Sequence, residues 1–267
     1  MKKKILVVGF PRSGTSVIAR HLRDIGLRTV PDLIWSHKDY PSGYNEHLPI
    51  LVFEKACERL HGSRARPTDQ ELLREEYLEV PGMRAFFEAS YAPLRDSSID
   101  FIKSPDTALY LRFLSARHSD IHYLAIWRNP EDAISSYFRR EFGRYPGWRE
   151  YYRSIVSWNL YAKRILDFKK EFPSKMTVWS IDRLIASDYS LAGSMRKLGY
   201  KDIREINLQN ALGKPWRRSR GIARLTIDVM ERSFRMFCPP SHKPYFSTYL
   251  NVRALRGVSE AVANEQS

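Results

Sequence analysis

The segment KILVVGFPRSGTSVIARHL, Lys4 to Leu22, constrains the fold more than any other part of the chain. It opens on KILVVGF, a continuous apolar run of strand length closed by Gly9 and Pro11. A run without polar alternation suits a central parallel strand covered on both faces. Ser16 to Ile25 then reads as a helix, with Val17, Ile18, Leu22 and Ile25 on one stripe and Gly26 as its natural terminator. Strand, glycine-containing loop and helix follow in the order that an anion-cradling loop requires.

Further apolar runs predict strands at Leu27–Val30, Asp100–Lys103, His122–Trp127 and Met176–Ile181. Helical patterns at Ala108–Ser115 and Ile155–Phe172 separate most of them. In the longer one Ile155, Trp158, Leu160, Tyr161, Ile165, Leu166 and Phe168 recur near the helical period. The alternation predicts an α/β fold: a central, mostly parallel sheet flanked by helices. With 267 residues, 43% of them hydrophobic, the chain can bury an ordinary core, and it reads as a single domain over 1–267 with about 255–267 as a flexible tail. Pro31–Pro49, Gly62–Asp69 and Glu141–Trp148 read as loops or lids.

Several classes are set aside. No run approaches the roughly 18–20 continuous apolar residues of a membrane span. Lys2–Lys4 followed by ILVVGF is cut by Pro11 and Arg12 too early for a signal peptide. Cys57 and Cys238 do not make a disulfide framework, so a reducing, cytoplasmic compartment is the expectation. The seven histidines show no metal-ligand spacing, and no metal site is expected. A formal charge of +14 points to anionic partners: a polyphosphate-like cofactor, nucleic acid, an acidic glycan or a membrane surface.

The loop narrows that choice. Gly9, Gly14 and Ser16 have the spacing of the phosphate-binding pattern G-x-x-x-x-G-K-[ST], but Thr15 stands where the lysine belongs and Arg12 lies inside the loop. Backbone N–H groups and a helix N-terminus cradle an anion whether or not the lysine is present. Arg12 adds a planar fork suited to tetrahedral oxyanions, whereas Thr15 can offer only a hydroxyl and its N–H. The ligand should therefore present a shorter anionic end than a triphosphate, and it need bring no metal.

A second anion site is legible in HYLAIWRNPEDAISSYFRR, His122 to Arg140. A strand ends at Arg128. Asn129 is a good N-cap, Pro130 fits the first helical position, and Glu131 and Asp132 suit the first turn. Ala133, Ile134, Tyr137 and Phe138 form the apolar stripe, while Ser136 shares another face with Asn129 and Asp132. A guanidinium at the C-terminal edge of a parallel strand stands where open α/β sheets bind ligands.

Together, PRSGTS and RNPEDAISS resemble the two motifs of the sulfotransferases that use 3′-phosphoadenosine-5′-phosphosulfate (PAPS), a family with a fold similar to that of the P-loop NTPases. The resemblance implies that Arg12, Ser13, Gly14, Thr15 and Ser16 take the 5′-phosphosulfate end, and that Arg128 and Ser136 take the 3′-phosphate. Arginine in place of the usual lysine at position 12 is similar to carbohydrate-directed and bacterial branches, which implies an acceptor hydroxyl on a glycan or glycolipid. LGKPWRRSRG, Leu212–Gly221, resembles the segment that closes over the nucleotide, with Trp216, Arg217 and Arg218 (and Arg220) as cofactor contacts. In VWSIDRLIASDY, Val178–Tyr189, only Asp182 and Leu184 match the corresponding family segment.

Sulfuryl transfer needs an in-line acceptor, a base for its proton and positive charge at the leaving phosphate. The resemblance implies that Arg12 and Lys103 supply charge. Pro105 stands where small-molecule branches carry a histidine base, so Glu46, in a segment resembling G-Y-x-E, is the candidate base, with His37, His47 and Asp106 as rivals. Tyr40, Tyr44, Phe142, Tyr145 and Trp148 lie in loops expected near the acceptor. Two other classes stay open: a kinase-like phosphotransferase, which Thr15 opposes, and a non-catalytic basic protein binding nucleic acid. No recognised nucleic-acid module is present, so nucleic acid is not an expected partner; the charge is compatible with peripheral membrane contact.

Overall fold

The structure, a computed structural model, describes residues 2–30, 46–60, 78–141, 148–186 and 191–208. Among these residues four parallel strands, β1 (Lys4–Val8), β2 (Phe101–Lys103), β3 (Ile121–Trp127) and β4 (Met176–Ser180), form one sheet in the order β2-β1-β3-β4. The register sets Val7 beside Lys103, Val8 beside Ala125, and Trp127 beside Ser180. The helices are α1 (Thr15–Asp24), α2 (Leu48–Leu60), α3 (Met83–Tyr91), α4 (Leu111–Arg117), α5 (Pro130–Glu141), α6 (Trp148–Glu171), α7 (Ile181–Ala186) and α8 (Leu191–Lys197).

The apolar run of β1 is explained by burial on both faces. Ile5 and Val7 join a core with Val17, Ile18 and Leu22 of α1, Leu124 and Ile126 of β3, and Trp179. Leu6 and Val8 join the opposite core with Phe53 of α2, Phe87 of α3, Tyr123 and Ala125 of β3, and Trp158 and Phe168 of α6. Each such aliphatic side chain, fully removed from water, contributes about 1.5–3 kcal/mol. The sheet is thus the middle of three layers, and its C-terminal edge gathers the exits of β1, β2 and β3. No helix among the described residues is long and apolar enough to cross a membrane.

Three expectations need correction. Leu27–Val30 is not a strand; it contributes one bridge, Thr29 to Phe101. The Arg28 carbonyl accepts from both Asp100 and Phe101 N–H, at 2.8 and 3.1 Å, while the Asp100 carboxylate takes Arg28 N–H at 2.9 Å. A side chain thereby replaces the next ladder partner. Ala108–Ser115 is not one helix either. A 3₁₀ turn over Asp106–Leu109 is followed by α4, and Tyr110, at φ −122° and ψ 16°, breaks the helical path between them. The expected loop Pro31–Pro49 yields to α2 at Leu48. The rest of that loop up to residue 45, Gly62–Asp69, residues 142–147 and the tail lie outside the described residues.

Candidate active site

The turn after β1 is built from backbone conformations that side chains resist. Gly9 has φ 151°, and a Cβ there would lie 2.6 Å from the Ile126 carbonyl oxygen of β3. Gly14, the N-cap of α1, has φ 94°, and its Cβ would meet Ile181 Cγ1 at 2.8 Å. Glycine alone meets both demands without strain. Arg12 also adopts a left-handed conformation, φ 73°, which costs a non-glycine residue on the order of 1 kcal/mol or more. Ser13 N–H closes the turn onto the Phe10 carbonyl at 3.0 Å. The first turn of α1 contains no acid, so the positive end of the helix is not offset by its own side chains. Thr15 is buried and would lie 3.3 Å, through its methyl, from a Cβ on Gly9; it packs inside the loop where a lysine would reach outward.

The second motif meets the first. Asn129 Oδ1 accepts Glu131 N–H at 3.0 Å, the capping bond its position predicts. Asn129 N–H donates to Asp182 Oδ2 at 3.0 Å, which pins the exit of β3 to the first turn of α7. Arg128, buried at the end of β3, donates from Nη1 to the Arg12 carbonyl at 3.0 Å. Arg12 Nε in turn donates to Ser136 Oγ, on α5, at 3.1 Å. Residues 116 and 124 positions apart thus form one cluster, at the exits of neighbouring strands where the chain, having placed β2 on one side of β1, places β3 on the other.

β2 brings a third cation to the same edge. The Lys103 side chain is 1% exposed; its ammonium pairs with Glu46 and donates to Ser16 Oγ at 3.2 Å. A buried ammonium is costly unless an opposite charge and further acceptors satisfy it, and Glu46 and Ser16 do so. Glu46, 20% exposed at its side chain, is the partner open to solvent. Among the rival bases, Asp106 accepts the Tyr161 hydroxyl at 2.5 Å. Burial, and then the Asp106 carboxylate, push Tyr161 well above the usual phenol range, so it remains the donor in that bond. His47 is buried beside Glu46.

Two contributors carry no role in the sequence reading. In the sequence Asp182 only matches a family segment; in the structure its carboxylate accepts the Asn129 N–H. Glu54 of α2 is fully buried and accepts from Ser104 Oγ at 3.1 Å and Thr107 Oγ1 at 2.7 Å, in the turn after Lys103. Burial, and then the nearby Asp106, raise its pKa well above the usual carboxylate range. Its sequence signal was an acid four residues after Ile50, on the core-facing side of an apolar helix. Trp216, Arg217, Arg218, His37, Tyr40, Tyr44, Phe142 and Tyr145 lie outside the described residues, and Trp148 opens α6.

A family model described as "Sulfotransferase family" matches residues 4–178, a span that holds both motifs, Glu46 and Lys103. No curated protein matches the chain significantly. Among solved structures, the sulfotransferase domain from the Synechococcus PCC 7002 olefin synthase is 16% identical, with 95% of this chain and 96% of that chain covered and a TM-score of 0.50. Sulfotransferase STF1 from Mycobacterium tuberculosis is 16% identical, with coverages of 88% and 76% and a TM-score of 0.48. The sulfotransferase domain from the curacin biosynthetic pathway is 14% identical, with coverages of 84% and 80% and a TM-score of 0.43. At such identities the first of these speaks for a shared fold.

Proposed function

The chain belongs to the sulfotransferase family, and from that premise we propose that it moves a sulfuryl group from PAPS to an acceptor hydroxyl. The observation that carries this reading is the Arg128–Arg12–Ser136 cluster. It joins the two motifs, with the Arg128 guanidinium on the Arg12 carbonyl and the Arg12 guanidinium on the Ser136 hydroxyl, next to a helix N-terminus whose first turn has no acid. That donor set suits a nucleotide with two separated anionic ends and no triphosphate. Thr15, buried within the loop, leaves no lysine to reach a β- or γ-phosphate, which weighs against a kinase-like reading.

In this reading Ser13, Gly14, Thr15 and Ser16 hold the 5′ end with Arg12, and Arg128 and Ser136 hold the 3′-phosphate. Trp216, Arg217 and Arg218 are proposed to close over the nucleotide. PAPS supplies the activated sulfuryl group. Glu46 accepts the proton of the acceptor hydroxyl as its oxygen approaches sulfur. Lys103, beside Ser16, and Arg12 place positive charge where the leaving phosphate oxygen gains an electron pair. Glu46 faces the Lys103 ammonium, so the proposed base and this positive charge stand side by side at one edge of the sheet. The acceptor we propose is a glycan or glycolipid hydroxyl, a reading supported by arginine at position 12.

Calorimetry with the desulfated product, 3′-phosphoadenosine-5′-phosphate (PAP), against ADP and AMP tests the proposal. PAP should bind in preference to both without added metal, and the Arg128→Ala chain should lose most of that preference. Equal binding of PAP and AMP, or tight ADP binding only with Mg²⁺, would overturn it.

A further inference from the structure

Lys103 and Glu46 are held by different elements. Lys103 ends β2, and Glu46 lies two residues before α2 begins at Leu48. Deeper in the protein, Glu54 bonds one element to the other. Both of its oxygens accept from Ser104 Oγ, each at 3.1 Å, and Oε1 also accepts from Thr107 Oγ1 at 2.7 Å. Ser104 and Thr107 flank Pro105 and Asp106 in the turn that starts one residue after Lys103. The same turn is fixed to the phosphate loop. Ser104 N–H donates to the Val7 carbonyl at 3.0 Å, and Gly9 N–H donates to the Pro105 carbonyl at 3.3 Å. On its other side α2 is tied to α3, where Ser90 Oγ donates to the Pro49 carbonyl at 3.1 Å.

An acid at 0% exposure, on a helix whose neighbours Ile50 and Phe53 are also at 0%, is expensive to keep. An apolar side chain there would fill the space but would leave two buried hydroxyls to find other acceptors. We propose that Glu54 is a positioning residue for sulfuryl transfer: it ties the exit of β2 to α2 and so holds the Lys103 ammonium against Glu46 and beside Ser16. This rests on the assignment of Lys103 and Glu46 to the reacting end of the donor site. Glu54 itself lies too deep to touch substrate, and its effect passes through Lys103.

The test uses the full chain as wild type, Glu54→Leu, Thr107→Val and Glu54→Gln. The first readout is the ammonium resonance of Lys103 in protein carrying isotope-labelled lysine, assigned by its disappearance in Lys103→Arg. It requires neither donor nor acceptor. The second is the release of sulfate from PAPS in water, set beside the affinity for PAP. Glu54→Leu and Thr107→Val should shift or broaden the Lys103 resonance. Sulfate release should fall about tenfold in Glu54→Leu and about threefold in Thr107→Val, with PAP affinity changed by less than about threefold, because misplacing a catalytic group costs rate more than binding. Glu54→Gln keeps an acceptor oxygen of the same shape and should restore the resonance and most of the rate.

Unchanged resonance and rate in Glu54→Leu and Thr107→Val would overturn the proposal. So would a lower melting temperature with both readouts unmoved, which would leave Glu54 a role in stability alone. Should Glu54→Leu fail to fold, the nearly isosteric Thr107→Val decides by itself. If the wild type binds PAP no better than AMP and releases no sulfate, the donor assignment fails instead; the Lys103 resonance still reports whether Glu54 holds the pair.

Discussion

Arg12 Nε donates to Ser136 Oγ across 3.1 Å, so a guanidinium from the loop after β1 and a hydroxyl on α5 occupy one small region. Arg128 holds the same arginine by its carbonyl, at 3.0 Å. With Ser136 and Arg128 assigned to the 3′-phosphate, removing the α5 hydroxyl or the guanidinium that follows β3 should weaken that end of the nucleotide more than the other. Ser136→Ala is expected to weaken PAP binding about tenfold and Arg128→Ala about a hundredfold, the range for lost hydrogen bonds to charged groups. AMP, which lacks the 3′-phosphate, should change by less than about threefold in both, as read by calorimetry. Equal losses for PAP and AMP would place these residues elsewhere than at the 3′-phosphate.

The roles of Glu46 and Asp106 separate in a second measurement. Glu46 pairs with Lys103 at the open side of the cluster, whereas Asp106 is engaged by the Tyr161 hydroxyl at 2.5 Å. Glu46→Gln keeps the size of the side chain but cannot take a proton. It should leave PAP affinity within about threefold and cut transfer of labelled sulfate to a panel of oligosaccharides by about a hundredfold or more, the usual worth of a general base. Asp106→Asn should lower transfer far less. Transfer surviving in Glu46→Gln and lost in Asp106→Asn would move the base to Asp106.

Much of this fold was legible because buried parallel strands are written as unbroken apolar runs. β3 and β4 begin or end within one residue of the runs His122–Trp127 and Met176–Ile181, and the long helix was recognised by its period. Leu27–Val30 misled because a short apolar run records burial, not pairing. Leu27 and Val30 are buried, but the Asp100 carboxylate takes the bond that a ladder would need. At the site, the glycine spacing, the loop arginine and the strand-end arginine are readable because their patterns are local. That Arg12 reaches Ser136, or that Glu54 reaches the turn after Lys103, depends on strand order, and no local pattern encodes strand order.

The two loop glycines should differ in their tolerance of a side chain. A methyl at Gly9 would press on a carbonyl of β3, at 2.6 Å, which only a backbone shift relieves. A methyl at Gly14 would press on the Ile181 side chain, at 2.8 Å, which can turn aside in part. Gly9→Ala is therefore expected to destabilise the chain by about 2–3 kcal/mol and Gly14→Ala by about 1–2 kcal/mol, each including the strain of a positive φ. Urea midpoints at unchanged m-value measure both. A larger loss at Gly14 than at Gly9 would mean that Ile181 is the more rigid neighbour.

The pH dependence of stability should bear the mark of His122. Its Nε2 lies 2.9 Å from Thr177 Oγ1, between β3 and β4. Burial, and then Lys3 and Lys169, lower its pKa from 6.5 to about 4. Burial likewise lowers His21 and His118. Between these limits the unfolded chain binds a proton at His122 that the folded chain refuses. Stability therefore rises with pH through that window, is complete above the unfolded value, and is lost as the pH falls through the folded one. The depression corresponds to about 3 kcal/mol at most for His122. His122→Gln retains a polar contact for Thr177 but has no proton to gain. Its urea midpoints should fall less steeply than those of the wild type between about pH 7 and pH 4.5, a window in which protonation of the carboxylates affects both chains alike. Parallel curves would show that the folded chain accommodates imidazolium at this position and that the burial of His122 does not oppose its charge.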